Sequence, residues 1–256
     1  MRVTVVIPTK NSSEFIDRSI VSIINQQYED MELIVVDNFS TDTTREQVKP
    51  FVDKLLLKGP ERTAQANYGI KFSEGELIYL TGSDMTRDYE FIQECVKKIE
   101  EGYDAVYMSV KTDKDVQHFW GRVKALERES YIGTPKESAR FFKKSVWEAL
   151  NGFNENLISM EEDFQHRLDY AGYYTGRITG REYHLHEDDT LKKVFQKGYY
   201  YGKFMKKYLK KHKAEGIKKL TFLNLKPFLK HPILLGGFII MKMVQYTGGV
   251  LGYFKG

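Results

Sequence analysis

Apolar and polar positions along the first 110 residues alternate in blocks, short β-branched runs followed by stretches with helical spacing. Val3 to Pro8 is a continuous apolar run, the pattern of a strand buried on both faces. Asn11-Ser12-Ser13-Glu14 has the spacing of a capping box, and Phe15, Ile16, Ile20, Ile23 and Ile24 then recur at helical intervals. Strands are predicted at Glu32–Val36, Lys54–Leu57, Glu76–Leu80 and Asp104–Ser109. Helices are predicted from Ser40, over Thr63–Phe72 and over Tyr89–Glu101. This alternation implies an α/β fold with a mostly parallel sheet flanked by helices.

The rhythm changes after Val110. Ser138–Lys143 and Tyr173–Ile178 read as strands, Lys144–Leu150 and Glu161–Ala171 as helices. His118-Phe119-Trp120, between the two halves, reads as packing or as a loop. From Thr190 the composition shifts to lysine, tyrosine and leucine. The expected organisation is a body of residues 1–189, divided at 110, followed by an extension of residues 190–256.

Charge sharpens that division. Residues 191–256 hold fifteen lysines, no arginine and one acid, Glu215, for a net +14; with +4 overall, the first 190 residues carry −10. Such a basic tail suits an anionic partner, nucleic acid or lipid. The single cysteine, Cys95, precludes an intramolecular disulfide and reads as a small core residue. The N-terminal run is too short, and too soon broken by Pro8, for a signal peptide, and no uninterrupted apolar run reaches roughly 18 residues. A cytoplasmic location is expected.

In open α/β sheets, ligands bind beyond the carboxyl ends of the strands. Three predicted strands end in Pro8-Thr9-Lys10-Asn11, Asp37-Asn38-Phe39-Ser40 and Gly82-Ser83-Asp84. Caps and turns account for Asn11 and Ser40, whereas Asp37 and Asp84 are candidates for ligand contact. There is no G-x-x-x-x-G-K-[ST] and no G-x-G-x-x-G after the first strand, which argues against a nucleoside triphosphatase and a dinucleotide dehydrogenase.

Three segments in order, Val5-Val6-Ile7-Pro8-Thr9-Lys10-Asn11, Glu32 to Asp42 and Gly75 to Asp84, resemble the "VIIPTYN", "EIIVVDDGSTD" and "GEYILFLDSDD" segments of family 2 glycosyltransferases. Ala139 to Lys144 with Asn151 to Glu155 resembles the family's "RFFRR...GGFDE", and Met160 to Leu168 its "EDxDLxxRL". The resemblance implies the GT-A fold, Rossmann-like, and transfer of a sugar from a nucleotide-diphosphate sugar, with a UDP-sugar favoured over a GDP-sugar. It implies donor contacts from Pro8, Thr9, Asn11, Asp37, Asn38, Arg62, Ser83, Asp84 and Arg140. It also implies a Mn2+ or Mg2+ ion on Asp84, completed by one of His184 and His186, with His186 preferred. Gly82 stands where the pattern has its first aspartate. An inverting transfer needs a base for the acceptor hydroxyl, and the acids Glu161, Glu162 and Asp163 supply candidates. The spacing to Arg167 selects Glu161, with Asp163 as fallback, and crowding among acids is expected to raise the pKa of the base.

The tail interleaves lysines with Tyr199, Tyr200, Tyr201, Phe204, Tyr208, Phe222, Leu223 and Phe228, then turns apolar from Pro232, with Lys242 inside the run. An apolar segment interrupted by lysine suits the bilayer interface more than its core, so the tail is expected to dock on the inner face of the cell membrane. A lipid-linked saccharide or polyprenyl phosphate is then the expected acceptor. Two rivals share these features, a catalytically degenerate module that binds nucleotide-sugar and an RNA-binding protein acting through the tail. The lack of arginine there weakens the second, so no nucleic-acid partner is favoured.

Overall fold

The computed structural model describes residues 1–134, 136–157, 160–186, 190–221 and 224–255, with the side chains of 206 and 211–221 outside that description. Phe222 and Leu223, among the expected aromatic and apolar tail positions, lie outside the described residues. In chain order the elements are β1 (Val3–Thr9), α1 (Ile16–Ile24), β2 (Met31–Asp37), α2 (Thr44–Val48), β3 (Lys54–Leu57), α3 (Arg62–Lys71), β4 (Leu77–Leu80), β5 (Met85–Arg87), α4 (Phe91–Glu100) and β6 (Ala105–Tyr107). They continue as β7 (Val110–Thr112), α5 (Phe119–Ser130), β8 (Ala139–Lys143), α6 (Lys144–Ala149), α7 (Met160–Tyr170), β9 (Thr175–Arg177), β10 (Glu182–His184), α8 (Leu191–Thr221) and α9 (Pro232–Lys255). The chain divides into two compact units. One comprises Met1–Ser109, Glu137–Glu155 and Ser159–Leu185, the other Val110–Lys136, Asn156–Ile158 and His186–Gly256. The segment Val110–Lys136, expected in the body, therefore groups with the C-terminal helices.

The first unit is built on a seven-stranded sheet in the order β3-β2-β1-β4-β8-β6-β9. β3, β2, β1 and β4 are parallel, β8 runs antiparallel to both β4 and β6, and β9 is parallel to β6. Strand alternation distributes the core between two layers. Val3, Val5 and Ile7 face one way, with Ile16, Ile20 and Ile23 of α1 and Phe91 and Cys95 of α4. Val6, Ile34 and Val36 face the other way, with Ala66 and Ile70 of α3 and Phe164 of α7. Gly69 lets α3 settle on the sheet, since a Cβ there would lie 2.6 Å from Val6 Cγ1.

Two local expectations fail. The capping box does not form: the N–H groups of Phe15 and Ile16 are accepted by the Ser12 carbonyl, while Asn11 takes a left-handed φ of 49° and accepts from Thr41 N–H at 2.9 Å. Ile24 ends α1 on its solvent side. The short β5, β7 and β10 and the helix α5 carry no clear period in the sequence. His118 belongs to none of the expected loops but caps α5, its Nδ1 accepting from Gly121 N–H at 3.1 Å.

In the second unit, α8 and α9 pack through glycines. A Cβ on Gly202 would lie 2.2 Å from the Gly249 carbonyl oxygen, and one on Gly252 would lie 2.1 Å from that of Tyr199. Val123 of α5, Val194 of α8, Phe228 and the α9 residues Leu234, Phe238 and Met241 form this unit's core. Glu127 of α5, buried at 2% exposure, accepts from Tyr131 Oη at 2.6 Å and from Lys124 Nζ at 2.9 Å, and pairs with Lys242 of α9.

Candidate donor and acceptor site

The carboxyl ends of β1 and β2 are bound tightly to one another. Asn38 N–H donates to the Thr9 carbonyl at 2.9 Å, and Gln65 Nε2 of α3 bridges the Thr9 and Val36 carbonyls at 2.9 and 2.5 Å. Gln65 was not singled out by sequence, because a glutamine on a helix carries no motif. Asp37 is fully buried and accepts from the Ser40 N–H at 2.8 Å and from the Ser40 hydroxyl. Its carboxylate thus shapes the turn after β2, the capping chemistry expected only of Ser40 and Asn11. The Asn38 side-chain amide donates to the Pro60 carbonyl at 2.6 Å, and its oxygen would lie 2.4 Å from a Cβ on Gly59. Pro8 is buried in the strand. The Thr9 hydroxyl is buried with no hydrogen-bond partner, a polar atom left for something else to satisfy.

At the end of β4 the chain turns through Gly82-Ser83-Asp84 into β5. The Ser83 hydroxyl donates to that of Ser12 at 2.8 Å. β5 and β10 pair antiparallel with His184 opposite Met85, and the Leu185 N–H donates to the Asp84 carbonyl at 2.9 Å. This brings His184 Nε2 to 3.2 Å from Asp84 Oδ2. Within the first unit, the histidine beside Asp84 is His184, one of the two that the resemblance offered. His186 follows Leu185 directly and opens the second unit. A carboxylate oxygen beside an imidazole nitrogen fits Mn2+ well, and Mg2+ less well, since Mg2+ prefers all-oxygen ligands. Gly82 also has a steric reason: a Cβ there would lie 2.7 Å from Asp84 Oδ1. The aspartate of the family pattern would crowd the Asp84 carboxylate in this conformation.

The acidic turn of α7 does not behave as one cluster. Glu161 is paired with Arg62 at the head of α3. Burial pushes the Glu161 carboxyl up, but the Arg62 charge and hydrogen bond, with Arg140 beyond, outweigh it and hold the carboxyl below its usual range. The expectation that crowding raises this pKa is overturned, because the near neighbours are guanidinium groups. Asp163 is fully buried and accepts from Arg167 Nε at 2.9 Å, while Arg167 also donates to the Leu150 carbonyl at 2.6 Å. It clamps α7 to the end of α6 and has no exposed edge for an acceptor. Glu162 sits between them in the first turn, half-buried.

Arg140, expected to face the donor diphosphate, is instead paired with Glu182 of β10. That carboxylate is fully buried and also accepts from Tyr79 Oη at 2.6 Å and Thr81 Oγ1 at 2.8 Å. Burial pushes the Tyr79 hydroxyl well above its usual pKa, so it remains a donor. Glu182 was invisible in sequence, since nothing marks an acid in a three-residue strand. Elsewhere in this unit, a cleft of about 250 Å³ runs along α3 between Lys58, Tyr68 and Trp147.

Three comparisons bear on this arrangement. The sequence profile of Glycosyl transferase family 2 matches residues 4–154. The chain is 25% identical over 216 residues to the GalNAc(5)-diNAcBac-PP-undecaprenol beta-1,3-glucosyltransferase of Campylobacter jejuni, covering 76% of this chain and 65% of that protein. It is 29% identical over 119 residues to the poly(ribitol-phosphate) beta-N-acetylglucosaminyltransferase TarS of Staphylococcus aureus, covering 42% of this chain and 20% of that protein. The chain thus spans less than two thirds of the length of these curated relatives. In fold it is similar to the mannosyltransferase PcManGT of Pyrobaculum calidifontis, solved with GDP-Man and Mn2+. The TM-score is 0.62 at 19% identity, over 98% of this chain and 73% of that one. It is also similar to TarS residues 1–349 solved with UDP-GlcNAc, with TM-score 0.59 at 16% identity, over 99% and 89% of the two chains. The expected GT-A-like α/β architecture is therefore present, and with more than half of its length matched by the profile, the chain belongs to glycosyl transferase family 2.

Proposed function

We propose that the protein transfers a sugar from a nucleotide-diphosphate sugar to an acceptor hydroxyl with inversion at the anomeric carbon. The observation that carries this reading is the Asp84–His184 pair, 3.2 Å apart at the end of β4 in a family 2 fold. Asp84 with His184, and His186 one residue past Leu185, would hold a Mn2+ or Mg2+ ion. The chemistry such an ion supplies is neutralisation of charge on the donor diphosphate as the sugar departs. The buried Thr9 hydroxyl, with Pro8, Asn11, Asp37, Asn38 and Ser83 around the same strand ends, would line the nucleoside side. Arg62, still 43% exposed at its side chain, would meet the diphosphate.

Glu161 is the base. Its carboxylate takes the proton of the acceptor hydroxyl as that oxygen bonds to the anomeric carbon. The bond from that carbon to the phosphate oxygen breaks on the opposite side, and the nucleoside diphosphate leaves with the electron pair. Glu162 is the only other acid of this turn with exposed surface among the described residues. Arg140 acts by positioning, through Glu182, and Asp163 by holding α7.

A UDP-sugar is the favoured donor, as in the TarS complex, with a GDP-sugar the alternative shown by PcManGT. The Campylobacter relative is named for an undecaprenol-linked acceptor, which supports a lipid-linked saccharide here, and with such an acceptor the protein would act at the inner face of the cell membrane. Calorimetric titration with UDP and GDP, with and without Mn2+, tests the donor site, repeated with Asp84→Ala. Metal-dependent binding of one nucleotide, lost in the variant, is the expected result. Binding of neither nucleotide under any condition would overturn the reading, and binding without sugar transfer would leave a nucleotide-sugar-binding module.

A further inference from the structure

Helix α9 buries one face and leaves the other bare. Ile233, Ile240, Met243, Val250 and Phe254 recur at helical spacing along the open face, with Ile233, Met243 and Phe254 at 78%, 65% and 76% exposure. Between Ile233 and Phe254 no exposed position carries a charge. The lysine within this stretch, Lys242, points the other way, buried and paired with Glu127 of α5. In sequence Lys242 interrupts an apolar run; in the fold it leaves the open face altogether. An apolar stripe along 24 residues, about 36 Å at 1.5 Å per residue, is far beyond scattered surface hydrophobics.

Length and composition alone would let α9 cross a bilayer. Its partner does not permit that. α5, held to α9 through Glu127, carries exposed Arg122 and Glu129, and a spanning α9 would carry these charges toward hydrocarbon at several kcal/mol each. The stripe is flanked by cations. Lys226 and Lys230 are exposed beside Leu225 and Leu229 just before α9, and Lys255 closes it. Any pairing of the stripe with a second copy of itself would set these lysines against one another, with no exposed acid on the face to answer them. An anionic lipid surface answers both features at once.

We propose that the open face of α9 lies in the interfacial layer of an anionic bilayer, its axis along the membrane plane, with Lys226, Lys230 and Lys255 on lipid headgroups. The inference deepens the membrane part of the proposed function and does not depend on the glycosyl chemistry. The full chain would be sedimented with phosphatidylcholine vesicles with and without phosphatidylglycerol. Binding to the anionic vesicles is expected, released by alkaline carbonate. Ile240→Glu with Met243→Glu and Val250→Glu should weaken binding about tenfold or more while leaving helix content unchanged. Lys226→Glu with Lys230→Glu should remove the preference for phosphatidylglycerol. The proposal is overturned if the triple variant sediments like the wild type, or if the wild type resists carbonate, as a spanning helix would. It is equally overturned if the chain is a lipid-free dimer that the triple variant splits. Nucleotide titration of the same triple variant separates the two readings: vesicle binding without any nucleotide binding would sink the glycosyl reading and leave the docking face standing.

Discussion

The two units use charge in opposite ways. In the first, buried carboxylates are each held by neighbours within the unit: Asp37 by Ser40, Glu182 by Arg140 and Tyr79, and Asp163 of α7 by Arg167. The Asp84–His184 and Glu161–Arg62 pairs are more open to solvent. In the second unit Lys242 is turned inward to Glu127, so that a whole face of α9 is apolar. The proposed chemistry of one unit would rest on a few side chains whose partners can be exchanged. The proposed docking of the other would rest on a helix face from which charge has been withdrawn.

The largest effect should follow from breaking the proposed metal-holding pair. Asp84→Asn keeps the size of the side chain and removes the negative charge beside His184. Sugar transfer is expected to fall by about 100-fold or more, with metal-dependent nucleotide binding lost and vesicle binding intact. His184→Gln should follow Asp84→Asn in direction, and the loss from His186→Gln alone measures the share of the histidine that the family resemblance prefers.

Much of the first unit was legible because its strands are buried on both faces and its helices carry one apolar stripe. The limits of β1, β2, β3 and α3 fall within a residue or so of those expected. The elements that went unseen are those whose identity depends on partners. β5 and β10 are three residues each and exist as strands only through one another. Glu182, lodged in β10, is hidden for that reason, and with it the partner of Arg140. Residue types at the strand ends were readable, but which acid is spent on structure and which is left over depends on distances between segments far apart in sequence. Asp163 and Glu161 are two positions apart and fell to opposite sides of that line.

Two substitutions in α7 sharpen this contrast. Asp163→Asn leaves Arg167 short of its charged partner in the interior and should cost about 3–5 kcal/mol of stability, read as a lowered denaturant midpoint. Glu161→Gln should cost less stability than Asp163→Asn, its pair with Arg62 being partly exposed, but reduce turnover by about 100- to 10,000-fold. It should also tighten UDP binding, because Arg62 is no longer engaged by a carboxylate. Weaker UDP binding in Glu161→Gln would show that Arg62 does not serve the donor.

In the second unit the comparable weak point is backbone contact. Gly202→Ala would put a Cβ 2.2 Å from the Gly249 carbonyl, and Gly252→Ala would put one 2.1 Å from that of Tyr199, so α8 and α9 must separate. A loss of about 1–3 kcal/mol is expected for each, seen as earlier unfolding of this unit by hydrogen exchange. Nucleotide affinity should not change, since no donor residue of the first unit is touched.

The smallest expected effect is a displacement of the pH profile, and it tests the Glu161–Arg62 pair most directly. In the resting protein the pair holds the Glu161 carboxyl below its ordinary value, after burial, which raises it, is outweighed by Arg62 and Arg140. A carboxyl depressed by folding contributes stability that is present above its unfolded pKa and disappears as pH falls through the folded one. The same sign governs activity: the base stays charged into acid, so the acid limb of kcat/KM for the donor should lie below the usual carboxylate range. Once the diphosphate occupies Arg62, that restraint weakens, burial regains weight, and the acid limb of kcat should move upward relative to kcat/KM. Arg62→Gln should bring the two limbs together, near the higher position, while Arg140→Gln should shift both less. Coincident limbs in the wild type would mean that the donor leaves the Arg62–Glu161 pair unbroken, and that Glu161 works, if at all, from within it.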